Sequence, residues 1–577
     1  MTILNDTDTV CADPIELEII RRRLIAIPNL IEKNIERTAF SLLVQEYKDY
    51  AVGYVDERGH LVTQSRYSLP AFVGNTLGLA VRSGLDVYGA DQMRDGDVFM
   101  TGDAEVLGGH LNDVVMFTPI REGGELLGFF AVIVHWIDVG GATAGSCLAP
   151  TGTEIFHEGI QYPVMRLVSE GKRNDDIFRL ILKNSRFPDL LQGDVEAQLG
   201  GCLMGHALMR EVLDQHGPAN VRAAVEAIRK DSRQTMARAL SAVPPGIYHA
   251  SCFFDDDGVE LDKPIKVDVK VIADGETITI DFSDVSKQVL GPFNSGRDGG
   301  AVAVARMAVK FLFASGTPVN ESEFDRVRVE IPDGTFMSAS AEAAHGSGPN
   351  TQATVVDLIL KAFHQALPDM VPAGHHGIFG THSITGINQR TGERFLCMDA
   401  MSGGWGAFSD VDGPGPYRSA THGDVRDVPV EIQEASYPYR IEAKRLRENS
   451  GGAGRFRGGL GIEKVYRFLQ PLTLMNKIDR TKCAPWGLDG GMAGLSAGGE
   501  IIRANGQRQT LRKGLVLIEE GDVLVISSGG GGGYGDPRSR ERGLVKRDVV
   551  DGYVTRDHAL SEYGVTLHDK TAANAHQ

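Results

Sequence analysis

The period of the apolar positions changes several times along the chain, and each change marks an element. Leu17, Ile20, Leu24, Ile27, Ile31 and Ile35 recur at every third or fourth position, one stripe of a helix that faces the core or a subunit interface. Asp13 suits its N-cap and Pro14 its first turn, and Pro28 should kink or divide it. Residues 50–55 then alternate as a strand, 56–59 form a turn, and 61–63 begin a return strand. Two short runs rich in Val, Ile and Phe, 114–120 and 128–134, read as buried strands. Paired as an antiparallel hairpin around 121–125, they bring their outer ends together.

Residues 189–217 carry a second helical stripe, ended by Gly217-Pro218, and a further helix follows over 221–240. Near Pro244 the texture changes. Residues 266–282 alternate about an Asp274-Gly275 hairpin turn. Two glycine-bearing loops, 291–300 and 346–350, each lead into an apolar helix, 301–313 and 351–366. In the last third, 473–475, 501–503, 515–518 and 522–527 are short strands between turns, the pattern of a small barrel or sandwich. The expectation is an α+β (mixed α/β) chain of several domains with a β-rich C-terminal region. The divisions fall at 1–245, a metal-binding α+β domain, 246–440, a central α/β domain with Gly-rich loops, and 441–577, a β-rich domain and tail whose last residues, 570–577, are expected to be disordered.

Charge narrows the partners. A net charge of −17 over 577 residues argues against nucleic acid or an anionic membrane. The N-terminus is polar and acidic, unlike a signal peptide, and the longest apolar run, 126–134, is far below spanning length. The six cysteines are scattered with no CxxC, so a disulfide framework or a cysteine zinc site is not expected and a cytoplasmic location fits. Seventy glycines imply many tight turns. The five-glycine run 529–533 suggests a flexible loop at a subunit contact.

Chemistry concentrates at the ends of the hairpin strands. His110 and Asp113 precede the first, and His135 and Asp138 follow the second. Neutral imidazole with carboxylate suits Zn, Mn or Fe(II) better than Ca or Mg. Two His–Asp pairs hydrogen-bonded at strand ends satisfy the same spacing. His375, His376 and His382 form a second group without a clear carboxylate partner, the composition of hydrogen-bonding loop residues. Arg455, Arg457 and Arg480 stand in glycine-framed loops, where they bind an anion or pair with Glu448, Glu463 or Asp479. No Walker A sequence occurs, so no ATP site is expected in this chain.

The run GGHLND, followed 25 residues after His110 by HWIDVGG and then by GTEIFHEGI, resembles the hydantoinase B / 5-oxoprolinase B-type family. That family includes N-methylhydantoinase B, the second subunit of caprolactamase and the large subunits of acetone and acetophenone carboxylases. The resemblance extends to ENSGGAGRFRGGLG (448–461), DRTKCAPWGLDGG (479–491) and GGGGYGDP (530–537). It implies one divalent metal, Zn first with Mn or Fe as alternatives, held by Asp49, His110, Asp113 and His135. Asp49 closes the E-x-x-D segment 46–49; from the residues alone it is an ordinary strand-end acid. Asp138 and Glu158 are the acid/base or ligand-orienting candidates.

The resemblance also implies a partner, a hydantoinase A-type ATPase that holds ATP-Mg, in a heterotetramer of two copies of each subunit. The leading expectation is the metal-bearing subunit of an ATP-dependent hydrolase of cyclic amides: lactam, hydantoin or oxoproline. The alternatives are a ketone carboxylase that uses bicarbonate and a non-catalytic scaffold for the ATPase.

Overall fold

A computed structural model describes residues 13–74 and 76–567; the expectations for the first residues and for 570–577 lie outside them. The described residues form a mixed α+β, multi-domain structure with four sheets.

The first sheet has the order β2-β1-β5-β4-β3-β6-β7. It is built from β1 (Tyr50–Asp56), β2 (Leu61–Gln64), β3 (Val98–Gly102), β4 (Asp113–Glu122), β5 (Glu125–His135), β6 (Tyr162–Ser169) and β7 (Lys172–Arg173). Every neighbour is antiparallel. β4 and β5 pair in the register Asp113↔His135 and Val114↔Val134, so the polar residues at their ends meet as the hairpin reading requires. Both faces of the sheet are covered. Val114, Met116, Val132 and Val134 pack under the helices Pro14–Thr38 and Pro188–Ser241, while Val115, Phe117, Ala131 and Ile133 pack under the helix Thr76–Tyr88. Double burial is why these strands read as continuous apolar runs rather than as alternation.

The helix Pro14–Thr38 is capped by the Asp13 carboxylate, which accepts from the Ile15 amide at 2.9 Å. It runs through Pro28 without being divided, because Ile20, Leu24, Ile27, Ile31 and Ile35 are all buried against the core. Burial of five such side chains at about 1.5–3 kcal/mol each outweighs the roughly 3 kcal/mol cost of one interior proline. The helix Pro188–Ser241 does break where expected: Gly217 adopts φ 72°, ψ 157°, directly before Pro218.

The second sheet, in the order β11-β10-β9-β8, comprises β8 (Gly246–Phe254), β9 (Ile265–Ala273), β10 (Ile278–Asp281) and β11 (Val327–Glu330). The helices Ala303–Phe313 and Gly348–His364 share its core. The remaining two sheets face one another as a sandwich. One has the order β13-β12-β16-β19, from β12 (His382–Ile387), β13 (Arg394–Asp399), β16 (Leu472–Asn476) and β19 (Gly514–Ile518). The other is β14-β15-β20-β17-β18, from β14 (Tyr439–Leu446), β15 (Ile462–Phe468), β17 (Gly498–Ile502), β18 (Arg508–Thr510) and β20 (Val523–Ser527). Ile384, Leu474, Tyr466 and Leu524 meet in their common core.

The five-glycine run departs from expectation. Gly529–Gly533 is buried, not a loose surface loop. Gly531 donates to Gly459 O at 2.9 Å and accepts from Gly452 N at 2.8 Å; Gly532 donates to Gly374 O and accepts from Ala407 N. Gly533 donates to Met492 O and accepts from Leu488 N. None of the five has positive φ. Glycine is required here because a Cβ has no room: on Gly531 it would lie 1.9 Å from Trp405 O, and on Gly532 1.9 Å from Trp486 O.

Candidate metal centre at the rim of the first sheet

The site is built where β1, β4 and β5 end together. Asp113 opens β4 and His135 closes β5, paired across the ladder. Asp49 precedes β1, whose pairing Tyr50↔Val134 sets it beside His135; the His135 amide donates to Asp49 O at 3.1 Å. His110 enters from the turn before β4. That turn leaves a short helix, Ala104–Leu107, through Gly108 at φ 69°. A Cβ on Gly108 would lie 2.6 Å from Gly299 N, so the loop 291–300 clamps this turn.

Three polar side chains converge closely. His110 Nε2 lies 2.9 Å from Asp113 Oδ2 and His135 Nδ1 lies 3.0 Å from Asp113 Oδ1. The two ring nitrogens are 3.1 Å apart. Ligand atoms bound at about 2.0–2.2 Å to one ion stand roughly 3 Å from one another, so these side chains are spaced as a shared cation requires. Asp49 Oδ1 is buried without a hydrogen-bond partner, a free acceptor within the same group.

Sequence reasoning missed Cys147. His110, His135 and Cys147 offer ligand atoms that all lie within 4.8 Å of one another. The turn Ser146–Leu148 carries Cys147, and its amide donates to Asn112 Oδ1 at 3.1 Å. Asn112 Nδ2 in turn donates to Trp136 O, which ties the turn to the strand ends. A search for CxxC spacing cannot find a cysteine that joins two histidines only through tertiary structure.

The electrostatics follow from burial and crowding. Burial pushes the Asp49 carboxyl up to about 6. Burial would also raise the Cys147 thiol, but His110 and His135 overcome it and hold it at about 5. Burial would lower His135, yet its bond to Asp113 carries it to about 10; His110 is raised for the same reason. Asp113 is held well below the usual carboxylate range, because its two imidazole partners outweigh its burial. Protons on the two imidazoles thus offset part of the negative charge gathered by Asp49, Asp113 and Cys147. A divalent cation would take over that role, and the donor set of imidazole, carboxylate and thiolate fits one.

Glu158 closes the site from a second side. Its Oε1 accepts from the His345 and Gly346 amides, both at 2.6 Å, while the buried Oε2 has no partner. Burial, with the Cys147 thiol nearby, pushes this carboxyl up to about 8. Lys477, also unforeseen, is buried beside it. Its Nζ donates to Gly346 O at 3.0 Å and to Cys147 O. The available signal was position: Lys477 lies two residues before the DRTKC motif, at the end of β16.

Asp138 stands apart from the imidazoles. Its carboxylate accepts from the Gly140 amide at 3.0 Å, the Gly145 amide at 2.9 Å and Arg186 Nη1 at 3.0 Å. It shapes the turn that delivers Cys147, instead of holding a histidine ring. The second histidine group does not assemble either. His375 pairs with Asp357 at 3.1 Å and His382 Nε2 lies 3.0 Å from Tyr466 Oη. The Arg480 guanidinium is fully buried on Asp357 and the Trp486 ring, while its backbone amide donates to the Asp479 carboxylate, and Arg457 faces Asp548, so neither guanidinium pairs with the acids expected from sequence.

Fold and site together define a mixed α+β chain organised around a buried His/Asp/Cys constellation at a sheet rim. The hydantoinase B/oxoprolinase family matches residues 13–537, and the chain belongs to that family. It is 27% identical over 582 residues to caprolactamase subunit beta of Pseudomonas jessenii, across 98% of this chain and 99% of that one. The crystal structure of ATP-dependent caprolactamase from Pseudomonas jessenii superposes with a TM-score of 0.89 at 27% identity, covering 99% of this chain and 100% of the other. 5-Oxoprolinase 1 of Arabidopsis thaliana is 28% identical over 554 residues, 91% of this chain but 42% of its own length. A nucleotide-free acetone carboxylase structure shares the fold, with a TM-score of 0.88 at 20% identity over 96% of this chain and 80% of that chain. Among the described residues no helix is long and apolar enough to cross a membrane.

Proposed function

We propose that this chain is the metal-bearing subunit of an ATP-dependent cyclic-amide hydrolase, acting on a species that a separate hydantoinase A-type ATPase activates. The observation that carries the reading is the convergence of His110, Asp113 and His135 within about 3 Å at one strand end, with Asp49 and Cys147 against them. Full-length likeness to a caprolactamase subunit supports the substrate class. The 5-oxoprolinase relative supports the partner: the matched region is only 42% of that chain, which leaves most of it to another unit.

Asp49, His110, Asp113 and His135 would hold the metal, with Cys147 as an added donor that favours Zn over Mn or Fe. Once bound, such a cation supplies a Lewis acid for a carbonyl oxygen or an acidified water. Glu158 would keep a proton on Oε2 at neutral pH while two amides fix Oε1, which suits it to protonate a leaving nitrogen. Asp138 positions the Cys147 turn. ATP-Mg belongs to the partner, in a cytoplasmic heterotetramer of two copies of each subunit, and bicarbonate is an activator at most.

The test uses the complex purified with its native partner, ATP, a lactam panel and isotopically labelled bicarbonate. Ring-opened amino acid without label, and a metal lost in His110→Ala, is the expected result. Label retained in a new carboxylate makes the complex a carboxylase. Full turnover without metal overturns the metal assignment.

A further inference from the structure

Cys252 and Cys483 are far apart in the chain, and tertiary structure brings their free thiols into contact. Cys252 stands on β8, opposite Val267 of β9, and is buried in the core of the second sheet. Cys483 belongs to the DRTKC motif; it is half-buried and packs against the same core. The loop 479–483 holds it there by docking on the end of β8. The Thr481 amide and hydroxyl both donate to Asp255 Oδ2 at 2.7 Å, and the Lys482 amide donates to Asp255 Oδ1 at 3.1 Å. The Asp255 amide donates in return to Asp479 Oδ1 at 3.3 Å, and Arg480 Nε closes the turn on Cys483 O at 3.1 Å.

The surroundings of Cys483 differ from those of Cys202 and Cys397. Cys202 Sγ donates to Met116 O at 3.5 Å, and Cys397 Sγ lies 3.1 Å from Tyr439 Oη. Burial keeps both protonated, raising Cys202 strongly and pushing Cys397 up to about 12. Cys483 instead receives hydrogen bonds. The Cys252 thiol and the Phe253 amide donate to its sulfur, and with the Arg480 guanidinium nearby they outweigh burial and Asp479 and hold the thiol at about 6. Cys252 is raised, because it gives that bond and is buried. A half-buried sulfur with thiolate character, with a second thiol against it, is what a reacting cysteine and its resolving partner require.

We infer that Cys483 and Cys252 form a reversible disulfide when the chain meets a hydroperoxide, with Cys483 reacting first and Cys252 resolving. The Cys483 thiolate attacks one peroxide oxygen, the O–O bond breaks, and the other oxygen leaves, taking a proton from solvent as water or an alcohol. Cys483 is then a sulfenic acid. The Cys252 sulfur attacks the Cys483 sulfur, the S–S bond forms, the S–O bond breaks, and hydroxide departs with the Cys252 proton as water. The two thiols together lose two electrons, and the peroxide gains them. A dithiol reverses the step by attack on the Cys483 sulfur, the more accessible of the two. The bond ties the DRTKC loop covalently to β8, on the segment that also sends Lys477 to Cys147 O and Gly346 O. It does not depend on the hydrolase reading.

The full-length protein, purified with its native partner and bound metal, is exposed to hydrogen peroxide. Remaining thiols are blocked with N-ethylmaleimide, and peptides are mapped by mass spectrometry with and without dithiothreitol. The expected product is a peptide pair joined through Cys252 and Cys483, absent after dithiothreitol, with Cys202 and Cys397 still reduced. Before peroxide, N-ethylmaleimide should react with Cys483 at least about tenfold faster than with Cys202 or Cys397. In Cys252→Ser, dimedone should trap Cys483 as the sulfenic acid, and longer exposure should carry it to the sulfinic acid. Cys483→Ser, at the half-buried position, should leave Cys252 reduced, and it covers the case in which the core substitution does not fold. Recovery of both cysteines as free thiols after peroxide overturns the inference. So does sulfinic acid at Cys483 beside a free Cys252 in the wild type, or a disulfide from either cysteine to any other residue.

Discussion

The rim cluster and the glycine threads are both buried and both framed by glycine, yet they use the backbone in opposite ways. At the rim, Gly108 and Gly346 let loops approach so that side chains converge; a Cβ on Gly346 would lie 2.5 Å from Cys147 O. In the threads the approach is itself the structure. The segments around 374, 404–407, 452–459, 488–492 and 529–533 hydrogen-bond to one another with no side chain between them. Ordering a glycine costs more entropy than ordering any other residue. The cost is offset by a hydrogen bond on each side and by backbone contacts denser than side chains allow. The rim, by contrast, gathers acids, a thiol and imidazoles out of water, which is chemically useful and thermodynamically unfavourable.

That contrast can be broken first at Gly531. Gly531→Ala places a methyl 1.9 Å from a backbone oxygen that cannot move without its neighbours. The expected loss exceeds about 3 kcal/mol and should leave little folded protein, read as soluble yield and urea midpoint. His110→Ala should do the reverse, with activity falling more than about 100-fold and bound metal lost while the melting temperature shifts by a few degrees. An unfolded His110→Ala protein would mean that the metal holds the fold and that the contrast is misplaced.

Chelation sharpens the same point. His110 and His135, the proposed ligands, are joined through Asp113, and β-sheet register fixes their positions. Removing metal should therefore abolish turnover but leave a cooperative thermal transition, unlike small zinc domains that unfold without their ion. Calorimetry before and after dialysis against a chelator distinguishes the two.

Glu158 gives a smaller effect with a definite sign. Its carboxyl is raised by burial from 4.5 to about 8, so between those values the folded chain binds a proton that the unfolded chain has released. Its contribution to stability is present below the unfolded value and declines as pH rises toward 8. Glu158→Gln, which keeps the acceptor for the His345 and Gly346 amides, should flatten that decline. The variant should melt above the parent at pH 8 and level with it at pH 4.5, while losing activity. The smallest effect is Gly200→Ala in the helix Pro188–Ser241, where nothing lies within 4 Å of the added Cβ; it should gain about 0.5–1 kcal/mol by denaturant titration. A glycine in a buried thread and one on a helix face then differ in sign.

The sequence by itself determined the elements and which polar residues meet at the ends of the central hairpin. The β4–β5 hairpin was legible because double burial writes uninterrupted Val, Ile and Phe, and antiparallel pairing then forces Asp113 and His135 together. The break at Gly217 and the cap at Asp13 were legible because they depend on neighbouring residues alone. Tertiary structure decided what depends on residues far apart in the chain. Cys147 joins the histidines only because Asp138, Arg186 and Asn112 fold its turn back onto the rim. Lys477 reaches Glu158 and Cys147 from a separate sheet. Pro28 is carried inside a helix because tertiary burial exceeds the local penalty. The run Gly529–Gly533 looked mobile because composition records the lack of side chains, while only the packed structure shows which backbones fill the space they leave.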